Sequence, residues 1–160
     1  MYGWDEKYFT YIPLLEKYLA RLKPKRILEW GPGHSTRIMI TKAPKAEIIS
    51  YENEAKWFHK RNREFGNKAK IVLAEAPTED RKQFAWKKYT DPLVEGKFDL
   101  IFVDGRERVR CMKTATKLLS KNGVLILHDA NRGAYREGIA LFDIVERDRN
   151  TLCLKRKTSL

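Results

Sequence analysis

Short apolar segments alternate along the chain with longer amphipathic ones, and this alternation predicts strands joined by helices. Five apolar segments have the length of strands: RILEW (26–30), EIISY (47–51), KIVLAE (70–75), FDLIFVD (98–104) and GVLILHD (123–129). The last two are apolar almost without interruption, which is typical of parallel strands that are buried on both faces. The amphipathic segments predict helices over residues 5–22, about 35–42, 53–66 and 107–120.

Capping residues, prolines and glycines predict where the helices begin and end. Pro13 falls near the middle of the first predicted helix, where it would interrupt the helix or divide it in two. Asn53 is the expected cap of the helix over 53–66, and Gly66 its end. The triplet KNG ends the helix over 107–120, and the polar, aromatic residues 77–97 are left without an assigned element.

The end of the pattern differs from the rest. A short segment around 134–141 precedes FDIVE and TLCLKRK, which flank the polar tetrapeptide RDRN and predict an antiparallel hairpin. Five strands with right-handed helical crossovers would form a doubly wound open sheet. Such a sheet binds its ligand at the carboxyl ends of the central strands. The 160 residues of the chain fit one domain spanning 1–160.

Composition narrows the class of protein. No apolar run approaches the roughly 20 residues of a membrane span, and the first residues lack a basic-then-apolar signal pattern. Cys111 and Cys153 have no metal-type spacing, so reduced cysteines and a cytoplasmic location are expected. The net charge of +12 invites a nucleic-acid interpretation. The clearest basic stripe is either a solvated helix face or a polyanion-binding ridge: Arg106, Arg110, Lys113, Lys117 and Lys121.

The segment RILEWGPGHST (26–36) places an acid and two glycines between a strand and a helix, which indicates a ligand-binding turn. It lacks the Lys-Ser/Thr of a nucleotide-phosphate loop. Thr36 stands where a dinucleotide fingerprint has its third glycine. Glu52 lies 21 residues after Gly31, at the end of the second strand, where it could accept hydrogen bonds from both hydroxyls of a ribose.

With these residues in place, the sequence resembles the class I S-adenosylmethionine-dependent methyltransferases. ILEWGPGHST resembles their first motif, with Ser35 at the usual third glycine. SYENE resembles the acidic ribose motif, FDLIFVDG the fourth strand and LLSKNGVLILHDA the fifth. VDGRERVRC and GVLILHDANR are similar to small methyltransferase-like proteins and, more distantly, to catechol-type O-methyltransferases. The resemblance implies a Rossmann-like, doubly wound α/β sheet of seven strands, with helices on both faces and the hairpin strands at its end.

The resemblance also implies a cofactor site for S-adenosylmethionine. Gly31 and Gly33 would leave room for its methionine part, and Glu29 would pair with its ammonium group. Ser35 and Thr36 would cap the following helix, whose N-terminus suits the carboxylate. Two assignments stay open: Trp30 either walls the site or packs in the core, and Glu75 either lies by the adenine or is an exposed acid.

Asp104, His128 and Asp129 fall at strand ends beside the expected cleft and are the candidate catalytic residues, Asp104 also being counted in the cofactor site. They would act as a general base or hold magnesium. Catechol-type relatives have an Asn directly after the second acid, whereas here Ala130 intervenes before Asn131. Glu107 stands where those relatives have a lysine. No metal ligand is therefore assigned.

The predicted function is methyl transfer, with an oxygen acceptor of unknown identity. Few residues remain to cover an acceptor, so it is either large or enclosed by a second subunit, which makes a homodimer one option. Trp86 and Tyr89 flank the acceptor, form an interface or pack on the surface. The alternatives are an RNA-directed methyltransferase, a nicotinamide oxidoreductase and a protein that binds the cofactor without catalysis.

Overall fold

The computed structural model describes residues 8–80 and 82–158, with the backbone alone for residue 83. The helices α1 to α6 are Ile12–Leu22, His34–Lys42, Ala55–Phe65, Gln83–Thr90, Arg108–Leu118 and Arg136–Ile139. The strands β1 to β7 are Arg26–Trp30, Glu47–Glu52, Lys70–Leu73, Phe98–Val103, Leu119–Leu127, Phe142–Asp148 and Thr151–Arg156. A 3-10 turn, Gly133–Tyr135, leads into α6.

The seven strands form one sheet in the order β3-β2-β1-β4-β5-β7-β6. The first five pair in parallel, so their carboxyl ends lie along one edge of the sheet. β7 runs antiparallel to both β5 and β6. The prediction of a doubly wound sheet closed by an antiparallel hairpin is therefore confirmed. The order reverses between β1 and β4, and this switch point is where such sheets bind ligands.

Neighbouring residues of each strand supply two cores, one on each face of the sheet. Leu28 and Ile101 belong to one core with side chains of α4 and α5, whereas Ile27 and Leu100 belong to the other with side chains of α1 and α2. This division follows from the two-residue period of a strand, which sends successive side chains to opposite faces. Helices on both faces are thus confirmed.

Two predicted helix starts were wrong. The first helix begins at Ile12, with Pro13 in its first turn rather than at its middle; residues 5–7 lie outside the described part of the chain. Proline suits that position because the first N–H groups of a helix have no partner within it. Asn53 does not cap α3, which begins after Glu54. Instead, the backbone carbonyl of Asn53 accepts a hydrogen bond from the N–H of Ala76.

Two further elements differ from the sequence expectation. β5 begins at Leu119 instead of following KNG, because buried Leu119 pairs with Phe98 before a shift in register. Residues 83–90 form α4 within the stretch that had no assigned element. Trp86 and Tyr89 are almost fully buried on this helix, which makes them core residues. Within the described ranges, no helix combines the length and apolar character that a membrane span needs.

Candidate functional site

A cavity of about 820 Å³ opens over the carboxyl ends of β1, β2 and β4. Its lining includes the glycine turn and acids that follow the strands: Gly31, Gly33, Ser35, Glu52 and Asp104. Aromatic and basic side chains line it as well: Tyr8, Phe9, Tyr11, Arg108, Arg132 and Tyr135. Its volume lies within the range of pockets that bury a ligand the size of a nucleoside cofactor.

Two glycines bring the ends of β1 and β4 together beneath this cavity. Gly31 has a φ of +92°, and a Cβ atom there would lie 2.9 Å from the Cα of Gly105. A Cβ atom on Gly105 would in turn overlap the hydroxyl of Tyr89. The two glycines are therefore required by close backbone contact, and Gly31 also by its left-handed conformation.

Gly33 differs from Gly31 in what surrounds it. Its φ of −179° is extended backbone that any residue adopts, and the nearest atom to a Cβ there is an Arg61 side-chain nitrogen at 3.8 Å. The protein itself therefore has room for a side chain at Gly33. Since Gly33 lines the cavity, such a side chain would occupy space that is open to a ligand.

Glu29 lies beneath the turn rather than at the cavity surface. Its carboxylate is fully buried and accepts hydrogen bonds from the hydroxyls of Ser35 (2.5 Å), Thr36 (2.7 Å) and Ser50 (2.7 Å). Burial raises the pKa of Glu29 to about 7, while the three hydroxyl donors act against that shift. The carboxylate thus fixes the turn to β1 and β2, and the predicted contact with an ammonium group would be indirect.

Ser35 and Thr36 occupy the first turn of α2, and neither is its N-cap, which is Gly33. The N–H of Gly33 donates to the hydroxyl oxygen of Thr36 at 2.9 Å, so Thr36 satisfies one unpaired donor of the turn. Ser35 lines the cavity, whereas Thr36 is fully buried. These bonds hold the amino end of α2 toward the cavity.

Glu52 lies at the edge of the cavity, at the end of β2. Its Oε1 atom accepts hydrogen bonds from the backbone N–H groups of Asn53 (2.8 Å) and Glu54 (2.9 Å). Burial raises the pKa of Glu52, and these two bonds oppose the shift. Trp57 and Arg61 of α3 line the same cavity, and neither was predicted as a site residue.

Four of the predicted cofactor residues do not line the cavity: Glu29, Trp30, Thr36 and Glu75. The side chain of Trp30 is fully buried, and its indole N–H donates to the carbonyl oxygen of Tyr89 at 2.7 Å. Of the two roles considered for Trp30, core packing is therefore the one observed. Glu75 is exposed and lines a depression that shares Asn53 and Glu54 with the cavity lining, so its place by the adenine stays a prediction.

The three predicted catalytic residues do come together. One ring nitrogen of His128 and one carboxylate oxygen each of Asp104 and Asp129 lie within 4.8 Å of one another. Asp104 lines the main cavity. His128 is buried behind it, with Nδ1 2.9 Å from Oδ1 of Asp104 and Nε2 3.1 Å from the hydroxyl of Thr10. The Asp129 carboxylate accepts a hydrogen bond from the Asn150 side-chain amide at 3.1 Å. Asp104 is thus the member that faces the cavity.

Arg108 reaches into this cluster from the start of α5. Its guanidinium lies 3.2 Å from Oδ1 of Asp104 and 3.7 Å from Oδ2 of Asp129. A magnesium ion shared by the two acids would need oxygen ligands on every side, but the guanidinium already stands beside both carboxylates. The residues present do not fit a magnesium ion, and no step is assigned to one.

Arg108 was missed by the sequence interpretation, although a signal was present. It follows Asp104 by four residues, the spacing that lets a side chain in the first turn of a helix reach back to a strand end. Thr10 and Asn150 were missed for a different reason. They are more than 100 residues apart in the sequence and meet only through the folding of the C-terminal hairpin beside α1.

The structure is similar to solved methyltransferases over most of its length. A methyltransferase-like protein from Silicibacter pomeroyi aligns with a TM-score of 0.72 and 20% identity, covering 92% of this chain and 85% of that one. The SAH-bound methyltransferase PaMTH1 of Podospora anserina aligns at 0.68 and 22%, covering 91% and 77%. The chain has the class I methyltransferase fold.

A third methyltransferase-fold structure is the O-methyltransferase TomG of Streptomyces achromogenes, in complex with SAM. It aligns with a TM-score of 0.63 and 17% identity, covering 90% of this chain and 78% of that one. No protein-family model matches the sequence, and the search of curated proteins finds no match. The structural comparisons therefore establish the fold, and function is argued from the site.

Proposed function

We propose that this protein is an S-adenosylmethionine-dependent methyltransferase that acts on an oxygen acceptor. The observation that carries the proposal is that Gly33, Glu52 and Asp104 line one cavity at the switch point of the sheet. They come from the ends of three different strands, yet each supplies what one ligand needs. Gly33 leaves open backbone for the ligand, Glu52 offers a carboxylate to a ribose, and Asp104 offers a carboxylate to the reacting groups.

The cofactor would lie across the glycine turn. The open space at Gly33 admits its methionine part against bare backbone, and the N-terminus of α2 attracts its carboxylate. The Glu52 carboxylate, already held through Oε1 by two backbone N–H groups, would accept the ribose hydroxyls through Oε2. Trp57 lines the same cavity as Glu52 and offers the cofactor an aromatic surface.

When bound, S-adenosylmethionine supplies an electrophilic methyl group on a sulfonium centre. Asp104, the acid that faces the cavity, would orient the acceptor hydroxyl and receive its proton. His128 supports Asp104 from behind through the 2.9 Å contact. Orientation of the two reacting groups supplies much of the rate acceleration in such a transfer.

The cavity lining is also rich in aromatic side chains, with Tyr8, Phe9, Tyr11 and Tyr135 among its residues. This composition supports an acceptor with an apolar or aromatic body that carries a hydroxyl group. Either a large acceptor or a second subunit would complete the enclosure. Cys111 and Cys153 are buried free thiols, which supports a reducing compartment such as the cytoplasm.

A groove of about 520 Å³ between α4 and α5 supports RNA as a second candidate acceptor. Its lining combines basic side chains from both helices with one exposed aromatic ring: Lys87, Arg110, Lys113, Lys117 and Phe84. Basic grooves with exposed aromatic rings bind single-stranded nucleic acids through phosphate contacts and base stacking. The predicted stripe is interrupted, because Arg106 precedes α5 and Lys121 lies in β5.

A thermal-shift panel tests the proposal against its rivals. S-adenosylmethionine and its demethylated product should raise the Tm by about 5–10 °C at roughly 100 times Kd, because a ligand that binds only the folded state stabilises it. NAD and NADP should leave the Tm unchanged. Stabilisation by NAD alone would favour the nicotinamide oxidoreductase, and stabilisation by S-adenosylmethionine without methyl transfer to any acceptor would favour a binding protein.

A further inference from the structure

The guanidinium of Arg108 is held on several sides within the strand-end cluster. Its Nε donates to the carbonyl oxygen of Gly105 at 2.9 Å, and one terminal nitrogen donates to the carbonyl oxygen of His128 at 2.6 Å. The other terminal nitrogen lies 3.2 Å from the Asp104 carboxylate. The residue is only 9% exposed, so this is a buried cation with fixed partners rather than a surface side chain.

Side-chain contacts connect Asp129 to His128 through Asn150 and Thr10. The Asp129 carboxylate accepts from the Asn150 amide nitrogen at 3.1 Å, and the Thr10 hydroxyl donates to the amide oxygen of Asn150. The Thr10 hydroxyl oxygen lies 3.1 Å from Nε2 of His128. Both acids of the cluster and its histidine thus have side-chain partners within the protein.

The other ring nitrogen of His128 faces an acid that Arg108 also contacts. Its Nδ1 lies 2.9 Å from Oδ1 of Asp104, and the Arg108 guanidinium lies 3.2 Å from the same oxygen. Arg108 and His128 therefore converge on one carboxylate oxygen.

The cluster is balanced in charge without any ion. Two carboxylates, Asp104 and Asp129, face the buried guanidinium of Arg108, and the guanidinium of Arg132 lies 3.3 Å from Asp129 at the outer side. Among the described residues this is the one group of three or more side chains with the spacing of a metal site. A divalent cation placed there would lie against two positive groups that already neutralise the acids.

We propose that Arg108 occupies the position between the two carboxylates that a divalent cation would need, so that the cluster is independent of metal. Arg108 is a positioning residue: it holds Asp104 at the cavity and fixes the His128 backbone. This inference concerns ion binding, and it stands whether or not the proposed methyltransferase function is correct.

The test compares Mn²⁺ binding by wild-type protein, Arg108→Met and Arg108→Lys, measured by the loss of the free-ion electron paramagnetic resonance signal. Wild type and Arg108→Lys should bind no Mn²⁺ at the cluster at millimolar concentrations. Arg108→Met should gain one site because two buried acids lose their fixed cation, and Arg108→Met/Asp129→Asn should lose that site again. A wild-type site that disappears in Asp104→Asn would overturn the proposal, as would the absence of any gain in Arg108→Met.

A second measurement uses only the wild-type fold, in case Arg108→Met does not fold. Nuclear magnetic resonance of ¹⁵N-histidine-labelled protein at pH 7, with His128 assigned through His128→Gln, follows the ring signals of the cluster. These signals should be the same in chelator and in millimolar Mg²⁺. A shift of the His128 ring signals on addition of Mg²⁺ that chelator reverses would overturn the proposal.

Discussion

The indole N–H of Trp30 donates to the carbonyl oxygen of Tyr89 across 2.7 Å, joining the glycine-turn strand β1 to the helix α4. Tyr89 continues this connection, because its hydroxyl accepts a hydrogen bond from the N–H of Arg106. The floor of the cavity is therefore braced by aromatic side chains that belong to the core. This relationship assigns Trp30 to stability rather than to ligand contact.

Replacing Trp30 with Phe should lower the free energy of unfolding while leaving affinity for the cofactor product nearly unchanged. The buried carbonyl of Tyr89 would lose its partner, which costs about 1–3 kcal/mol, and the smaller ring would leave space in the core. Urea denaturation and calorimetric titration with S-adenosylhomocysteine measure the two effects separately. A large loss of affinity at unchanged stability would instead place Trp30 at the cofactor.

Gly31→Ala and Gly33→Ala should differ in stability. Gly31 has positive φ and lies against the backbone of Gly105, so an added methyl group should cost at least about 1–2 kcal/mol. Gly33 is extended and has open space, so its alanine variant should unfold at nearly the wild-type urea midpoint. Equal destabilisation by the two substitutions would contradict this account of the turn.

Glu52→Ala should weaken binding of S-adenosylhomocysteine by about 10-fold or more, because a charge-assisted hydrogen bond contributes about 1.5–3 kcal/mol. Glu75→Ala is the matched control: it removes an acid that follows the next strand, but from the exposed depression outside the main cavity. Calorimetry should show unchanged affinity for the control. Loss of affinity in Glu75→Ala alone would reverse the assignment of the two acids.

Glu29 should make stability depend on pH. Burial raises its pKa from 4.5 to about 7 in the folded protein, so between these values the folded state holds a proton that the unfolded chain has released. Its contribution is fully present below pH 4.5 and is lost as the pH rises to about 7, by at most about 1.4 kcal/mol per pH unit.

Glu29→Gln does not ionise and should lack this loss. Relative to wild type, the variant should gain stability between pH 5 and pH 8 in urea denaturation, with Glu75→Gln as a control that shows no such trend. A constant difference between wild type and Glu29→Gln across this range would show that the Glu29 carboxyl does not titrate there.

If the groove between α4 and α5 binds RNA, Lys113→Glu/Lys117→Glu should reduce affinity for a single-stranded RNA and make the remaining binding less sensitive to salt. The salt slope should fall by roughly 0.7 for each lost phosphate contact on a single strand. Lys45→Glu/Lys68→Glu, at exposed positions outside that groove, is the control. Absence of RNA binding by wild type at low salt would remove RNA as an acceptor.

The sequence predicted the sheet well because its information is local. Near-continuous apolar segments such as FDLIFVD and GVLILHD identify buried strands by composition alone, and the hairpin follows from its turn residues. Element ends were less predictable. Leu119 joins β5 because it pairs with Phe98, a contact between distant residues that no local pattern encodes.

The sequence predicted which residues form the site better than it predicted the contacts between them. Glu52 and Asp104 end strands, so their place at the cavity edge follows from topology. Glu29 also lies near the end of a strand, but it is fully buried and accepts hydrogen bonds from two hydroxyls of α2 and one of β2. The contacts of Arg108 with both acids and of Thr10 with His128 depend on tertiary packing, which the sequence alone does not give.

Calorimetric titration of wild type and Gly33→Val with S-adenosylhomocysteine and with NAD tests the central claim most directly. Gly33→Val should unfold near the wild-type urea midpoint, since the protein has room for the side chain, yet it should lose binding because the valine fills the ligand space. The account predicts one S-adenosylhomocysteine bound per wild-type chain, none bound to Gly33→Val, and no heat with NAD. Binding of NAD without S-adenosylhomocysteine, or equal S-adenosylhomocysteine affinity in Gly33→Val, would contradict it.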